Sequence, residues 1–185
     1  MTSGRTTRPS CVLFDADVVI AAHVLGIWRW LVRNYRVLVP SVVVHEALFF
    51  RTRAGERVDI NLPALVKTGE IEELAAGVEE IAKVYSYFDA WFADTIHAGE
   101  TEGLALVLTD RATGAMYCCG DARAIQALAM LGLGDCGVSL ESLLGGKKPR
   151  GRLELQFTEG YFRRNLDIGR ENRITGTGLV KGLLD

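Results

Sequence analysis

Short apolar runs that alternate with longer segments of helical character are the feature that most constrains the fold of this chain. Such runs occupy residues 11–14, 36–39 and 115–119, and a further one lies at 136–140. Between the first two runs, apolar residues recur at helical spacing over 18–35. Alternating short strands and helices are typical of a parallel sheet with right-handed connections. The sequence therefore predicts an α/β fold.

The remaining segments are assigned on the same grounds. Ser41 is placed to cap a helix over residues 42–50. Residues 51–70 are polar and marked by Gly and Pro, which predicts a loop or an excursion from the domain. Further elements are expected as follows: one or two helices in 71–93, with an aromatic cluster in the core; helices at 101–108 and 121–131; a closing turn at 141–146; and a helix near 159–166.

Length and composition favour one globular domain with flanking segments. The chain has 185 residues, and 49% of them are hydrophobic, which is enough for a single core. No run approaches the roughly 18 to 20 apolar residues of a membrane helix, and no signal peptide is evident, so we expect a cytoplasmic protein with no membrane contact. We assign a flexible N-terminus to 1–10, the domain to 11–146 and an extension to 147–185. The four cysteines, which we expect to be buried reduced thiols, are Cys11, Cys118, Cys119 and Cys136.

Charge is distributed unevenly along the chain. Residues 1–57 carry eight Lys or Arg against four Asp or Glu, residues 58–110 carry two against eleven, and residues 147–185 carry nine against five. Basic ends around an acidic middle are compatible with a cationic rim for phosphates and an acidic pocket for a metal. Charges that only solvate helix surfaces would give the same distribution.

Four carboxylates follow or flank the predicted strands. Asp15 comes directly after the first run and Asp121 after the third, while Glu46 and Glu100 lie in or at the start of helices. Since sites in parallel α/β sheets form at the carboxyl ends of the strands, these acids could meet at one rim. Neighbouring carboxylates repel each other unless a cation lies among them, and Mg²⁺ prefers oxygen ligands. The histidines, His23, His45 and His97, are too scattered to predict a zinc site.

The chain resembles the PIN-domain nucleases, the family of the VapC-type toxins. The stretches that carry the resemblance are VLFDADVVI, VPSVVVHEAL, HAGETEGLALVL and YCCGDARAIQALAMLGL, in this order over roughly residues 11–145. The resemblance implies a three-layer α/β/α sandwich with a central parallel sheet, and identifies 11–146 as a PIN-like nuclease domain. It also implies Mg²⁺- or Mn²⁺-dependent cleavage of RNA, a toxin role and an antitoxin partner.

The resemblance assigns the site residue by residue. The expected catalytic acids are Asp15, Glu46, Glu100 and Asp121, and the expected metal ligands are Asp15, Asp17, Glu100 and Asp121. Glu102 is a second candidate for the third acid. Cys119 stands near the position where the family often has a hydroxyl residue, and Asp17 stands where it often has Ser, Thr or Asn. Glu46 is the most informative acid, because a carboxylate within an apolar helical stretch is costly unless it faces a polar site.

Two other functions remain open at this point. The strand followed by Asp15 and Asp17 is also similar to the haloacid-dehalogenase phosphatases, where the two aspartates act as nucleophile and general acid. Against this, Val18 and Val19 follow where that family usually has Gly and Thr, and Glu46 and Glu100 have no role. The third possibility is a catalytically inactive PIN-like module that binds RNA or a protein.

The extension at 147–185 is a candidate RNA-binding segment. Its basic residues include two clusters, the second of which is flanked by Tyr161 and Phe162: Lys147, Lys148, Arg150 and Arg152, then Arg163 and Arg164. Arginines pair with phosphates, and aromatic rings stack on unpaired bases. The alternative is that the stretch LELQF pairs with a sheet edge or with a second copy of the chain in a homodimer.

Overall fold

A four-stranded, all-parallel sheet forms the centre of the protein. The computed structural model describes residues 10–52 and 54–182, so the expected flexible segment 1–10 lies almost wholly outside the described residues. The strands in chain order are β1 (Cys11–Phe14), β2 (Arg36–Pro40), β3 (Phe49–Arg51), β4 (Arg57–Asp59), β5 (Glu72–Leu74) and β6 (Ala115–Cys118). The central sheet has the order β5-β2-β1-β6, while β3 and β4 form a separate antiparallel hairpin.

Helices cover both faces of this sheet. In chain order they are α1 (Ala16–Val24), α2 (Trp28–Asn34), α3 (Ser41–Glu46), α4 (Leu62–Thr68), α5 (Val78–Tyr85), α6 (Ala90–Ala93), α7 (Ala98–Leu108), α8 (Ala122–Met130), α9 (Leu140–Leu144) and α10 (Glu159–Thr175). Short 3₁₀ helices occupy Gly134–Cys136 and Leu155–Phe157. The predicted α/β class and the three-layer α/β/α sandwich are confirmed.

Successive side chains of β1 point to opposite faces of the sheet, and each face has its own hydrophobic core. Leu13 faces a core that also contains buried residues of α7, α8 and α10. Val12 and Phe14 face a second core, built with α1 to α4 and α9. Because both faces of the strand are covered, β1 is a continuous apolar run rather than an alternating one. The first polar residue, Asp15, comes directly after the carboxyl end of β1.

Three predicted elements differ from the structure because turns and caps interrupt the apolar pattern. The single helix predicted over 18–35 is two helices, since Gly26 adopts a positive φ of 66° between them. Residues 136–140 are not a strand, although Tyr117 and Gly137 form an isolated parallel bridge. The turn predicted at 141–146 is helix α9, which Ser139 caps by accepting the Ser142 amide at 3.0 Å.

Four further differences lie in residues 41–93. The helix that follows β2 ends at Glu46, and the chain continues into the β3–β4 hairpin, so the excursion begins earlier than predicted. Ser41 does not cap this helix, because its hydroxyl donates to Glu102 at 2.9 Å. Within 71–93 the chain forms β5 before its helices. The aromatic cluster there is only partly core, since Phe88 and Phe92 are buried but Tyr85 and Trp91 are exposed.

The segment after residue 146 is integrated into the fold. Its helix α10 continues to Thr175, well beyond the predicted end at Leu166, and packs along α8. Phe162 and Leu166 lie in the same core as α7 and α8. The stretch LELQF contains a 3₁₀ helix and no strand, so its predicted pairing with a sheet edge is wrong. Among the described residues no helix has the length and apolar character needed to span a membrane.

Candidate functional site

An acidic pocket lies at the carboxyl end of the parallel sheet. It has a volume of about 420 Å³ and brings together the ends of four helices that are far apart in the chain, α1, α3, α7 and α8. Its lining contains all four predicted catalytic acids and one histidine, and consists of Asp15, Ala16, Asp17, Glu46, His97, Ala98, Gly99, Glu100 and Asp121. We call this cavity the acidic pocket.

Asp15 lies at the floor of the acidic pocket, between β1 and α1. Its amide donates to the Cys118 carbonyl at 3.1 Å, which extends the β1–β6 pairing by one residue and fixes the backbone there. The residue is only 4% exposed. Burial, followed by the negative charge of Glu100, raises the pKa of Asp15 to about 7. The side chain makes no capping hydrogen bond to α1, so its carboxylate is not used to stabilise the helix.

Glu100 occupies the first turn of α7 and is also buried. It accepts the backbone amide of His97 at 3.0 Å and lies 3.4 Å from Nδ1 of the same residue. Burial raises the pKa of Glu100, and the charge of Asp121 adds to that effect. In turn, the charge of Glu100 raises the pKa of His97. The two side chains therefore form a polar pair at the edge of the pocket.

Asp121 is the N-cap of α8. Its Oδ1 accepts the amides of Arg123 at 2.6 Å and Ala124 at 3.1 Å, and these two bonds fix the orientation of the carboxylate. The hydroxyl residue that the resembling family often has near this acid is therefore not needed, since backbone amides orient the carboxylate. Both bonds fall on one oxygen, and Oδ2 receives no hydrogen bond within the part of the chain that the structure describes.

Glu46 reaches the pocket for a different reason from the one predicted. It is the last residue of α3 and is exposed, so it does not interrupt a buried apolar helix surface. A Cβ atom added to Gly99 would lie 3.0 Å from Glu46 Oε2 and 3.8 Å from Asp15 Oδ1. The absence of a side chain at Gly99 therefore leaves room for the two carboxylates.

Asp17, in the first turn of α1, also lines the pocket but is exposed overall. Partial loss of solvent around its carboxylate, together with the charge of Asp121, raises the pKa of Asp17. Asp17 also lines a neighbouring cavity of about 310 Å³, whose lining includes Arg152 of the extension. The acidic pocket is therefore adjacent to one of the predicted RNA-binding residues.

Glu102 and Cys119, the two secondary candidates, do not line the acidic pocket. Glu102 is buried and accepts hydrogen bonds from Ser41 Oγ at 2.9 Å, the Val42 amide at 2.7 Å and the Ala76 amide at 3.1 Å. It therefore caps α3 from a neighbouring helix. Cys119 is buried in the core, and burial holds the pKa of its thiol well above the usual value. The structure gives both residues a role in packing.

The predicted RNA-binding residues are distributed over several surfaces. Lys147 and Lys148 line a cavity of about 320 Å³ beside α9. Arg163 pairs with Glu159 on α10 at 2.6 Å, and Arg164 is exposed on the same helix. Arg150 lines a larger cavity of about 770 Å³, which is also lined by His23 and Trp28 and shares no lining residue with the acidic pocket. Of the six residues, Arg152 lies beside the acidic pocket.

His97 and Gly99 are the pocket residues that the acid pattern alone does not predict. Both lie within three residues before Glu100, and the only sequence signal for His97 is its place three residues before an acid at a helix start. The donor set of the pocket is dominated by carboxylate oxygens, which suit a hard divalent cation. Within residues 10–52 and 54–182, no group of three or more His, Cys, Asp or Glu side chains is drawn together closely enough to hold a metal. The side chains would have to close around an ion.

The comparisons with known proteins add no relatives to this description. No protein-family model matches the chain, and no curated protein matches it. The geometry of the acidic pocket and the sequence resemblance therefore carry the functional argument.

Proposed function

We propose that this protein is a metal-dependent endoribonuclease of the PIN-domain type. The observation that carries the proposal is the convergence of Asp15, Glu46, Glu100 and Asp121 on one pocket. These acids come from four distant segments of the chain, and their order and spacing are those for which the resemblance predicts a site. A chance distribution of capping and surface acids gives no reason for all four to meet at the carboxyl end of the sheet.

The raised pKa values of Asp15, Asp17 and Glu100 support a cation as the missing partner of the pocket. Asp15, Glu100 and Asp121 would hold Mg²⁺ or Mn²⁺, with Asp17 as a further ligand. Oxygen ligands favour these ions over Zn²⁺. When bound, the ion would supply charge neutralisation at a phosphate and lower the pKa of a coordinated water.

The protein itself orients the acids of the pocket and leaves room for them. The backbone amides at the start of α8 orient Asp121, and the His97 amide orients Glu100. Gly99 leaves the clearance that Glu46 and Asp15 need. Glu46 stands at the exposed end of α3, where it can accept a proton from a water directed at a phosphate. This assigns Asp15, Glu100 and Asp121 to the metal, with Glu46 left to activate the attacking water.

The substrate and partners follow from the resemblance and from the basic residues near the pocket. We propose RNA as the substrate, with Arg152 contacting the phosphate backbone next to Asp17 and with Lys147 and Lys148 extending this path. A toxin role with an antitoxin partner, and a homodimer, belong to the same proposal. The open reading frame beside the gene is the simplest check for an antitoxin.

Cleavage assays on RNA test the proposal. Wild-type protein should cut a single-stranded RNA in Mg²⁺ or Mn²⁺ and lose activity in EDTA. Asp15→Asn and Asp121→Asn should each lower the rate by at least about 100-fold, because each removes charge from the site that stabilises the transition state. Asp167→Asn is the control, since Asp167 pairs with Arg170 on the exposed surface of α10.

Two results would contradict the nuclease. Hydrolysis of a small phosphomonoester that is abolished by either Asp15→Asn or Asp17→Asn, without RNA cleavage, would establish the phosphatase instead. RNA binding without cleavage in either metal would establish the inactive module.

A further inference from the structure

We propose that Trp91 and Arg123 form a nucleotide-binding ledge that holds an unpaired base next to the phosphate in the acidic pocket. This inference rests on the proposed nuclease function, because it assigns a place to the strand that would be cut. We call the two residues the Trp91–Arg123 ledge. It makes single-stranded RNA the preferred form of the substrate.

Trp91 is exposed although the aromatic residue next to it is buried. It lies on the four-residue helix α6 and is 65% exposed, whereas the adjacent Phe92 is 1% exposed. Phe92 anchors α6 to the core through its contact with Phe88, whose ring centroid is 5.0 Å away. The indole of Trp91 is therefore held by a helix that packs against the core, while the ring itself is exposed to solvent. An aromatic ring of this kind is available for stacking.

Arg123 connects this ring to the acidic pocket. Its guanidinium lies 5.5 Å from the centre of the Trp91 ring and 5.8 Å from that of Phe92. Nη1 donates to Gln126 Oε1 at 3.1 Å, which restrains the side chain. The backbone amide of Arg123 donates to Asp121 Oδ1 at 2.6 Å, and Asp121 lines the pocket. The ledge thus begins within one hydrogen bond of a predicted metal ligand.

The two groups match the two parts of a nucleotide. A guanidinium can pair with a phosphate, and an indole can stack on a base. The acidic pocket itself repels phosphate, so a cation in the first turn of the helix that Asp121 caps can guide the strand toward the site. A base in a duplex must first be unpaired and unstacked, which costs free energy, whereas an unpaired base can stack on the indole directly. The ledge therefore discriminates single strands from duplexes.

Binding and cleavage measured separately test the ledge. Fluorescence anisotropy without divalent ions gives the affinity for a short labelled RNA that lacks self-complementarity, and for its duplex. Trp91→Ala should weaken single-strand binding by about tenfold, with duplex binding nearly unchanged, and Trp91→Phe should restore most of it. Arg123→Gln should weaken both forms. Ile174→Ala and Arg33→Gln are the controls, since Ile174 is 84% exposed on α10 and Arg33 is exposed on α2.

The outcomes separate the ledge from the nuclease proposal. Wild-type protein that binds single strands through Trp91 but cuts no RNA in Mn²⁺ contradicts the nuclease and leaves the ledge standing. Equal single-strand affinity and equal cleavage for wild type and Trp91→Ala overturn the ledge. Equal losses of affinity for single-stranded and duplex RNA in Trp91→Ala also overturn it, because stacking on an unpaired base is then not involved. A change of oligomeric state in Trp91→Ala, with RNA affinity intact, would assign Trp91 to a protein interface instead.

Discussion

Helix α7 carries two buried glutamates that lie two residues apart and have opposite surroundings. Glu100 is 6% exposed and Glu102 is 4% exposed. Residues two apart on a helix point to different sides, so Glu100 lines the acidic pocket while Glu102 faces the start of α3. Glu102 accepts three hydrogen bonds from Ser41, Val42 and Ala76. Among residues 10–52 and 54–182, Glu100 has His97 as its one donor, and other carboxylates lie nearby.

This difference distinguishes a structural carboxylate from a candidate ligand. A buried charge is tolerated when hydrogen-bond donors surround it, as they surround Glu102. Glu100 and Asp15 share a pocket where burial and mutual repulsion raise the pKa of both. The protein completes the surroundings of Glu102 by itself, whereas the proposed cation would supply the positive charge that the acidic pocket lacks. Both glutamates are buried, so burial alone does not distinguish the structural carboxylate from the candidate ligand.

The largest effect on stability is expected at Glu102. Glu102→Ala should lower the free energy of unfolding by about 3 to 5 kcal/mol, since it leaves the Val42 and Ala76 amides without their acceptor. The matched variant Glu100→Gln should change it by less than about 1 kcal/mol, because an amide oxygen can still accept the His97 amide. Chemical denaturation measures both. A larger loss for Glu100→Gln than for Glu102→Ala would reverse the comparison.

Asp15→Asn should stabilise the protein, and the effect should depend on pH. Since the pKa of Asp15 is about 7 in the folded protein and lower in the unfolded chain, the folded state binds the extra proton between about pH 4 and 7. The stability contributed by this group is therefore present at low pH and lost as pH rises through 7. At pH 8 the variant should exceed wild type by up to about 4 kcal/mol without metal.

Thermal or chemical denaturation across pH 4 to 8 measures this difference. It should vanish near pH 4, and added Mn²⁺ should reduce it at pH 8 by stabilising only the wild type. A variant less stable than wild type at pH 8 would make Asp15 a structural residue, like Glu102.

The smallest effect is expected at Gly99. Gly99→Ala introduces a methyl group 3.0 Å from Glu46 Oε2, so it should lower RNA cleavage by about five- to tenfold by displacing that carboxylate, with the fold retained. Gly160→Ala is the matched control, because a Cβ there meets nothing within 4 Å in helix α10. Unchanged cleavage in Gly99→Ala would show that the clearance at Gly99 is not required. Initial rates at saturating Mn²⁺ measure the effect.

Several features of the fold are local enough to be read from the chain. The apolar run at 11–14 predicted β1, since a strand covered on both faces has no polar alternation. The aspartate that caps α8 comes three residues after the last residue of β6, so the order of residues is enough to place Asp121 at the carboxyl end of the sheet. The ends of other elements depend on turns, and Gly26 split a helix that the periodicity made continuous. Trp91 was assigned to the core because the pattern of neighbouring aromatics does not show which ring faces solvent.

The sequence by itself determined the parallel α/β class and the four acids, because both depend on residue type and order along the chain. Only the tertiary structure separated Glu100 from Glu102, since two acids in one helical turn look alike until their neighbours are known. It also decided that Glu46 stands at an exposed helix end and that Gly99 gives it room. The surroundings of these residues come from α3, α7 and β1, which lie far apart in the chain and meet only when the sheet forms. Burial and hydrogen bonding are properties of that meeting, and they distinguish Glu102, whose carboxylate is held by three donors, from the acids that line the acidic pocket.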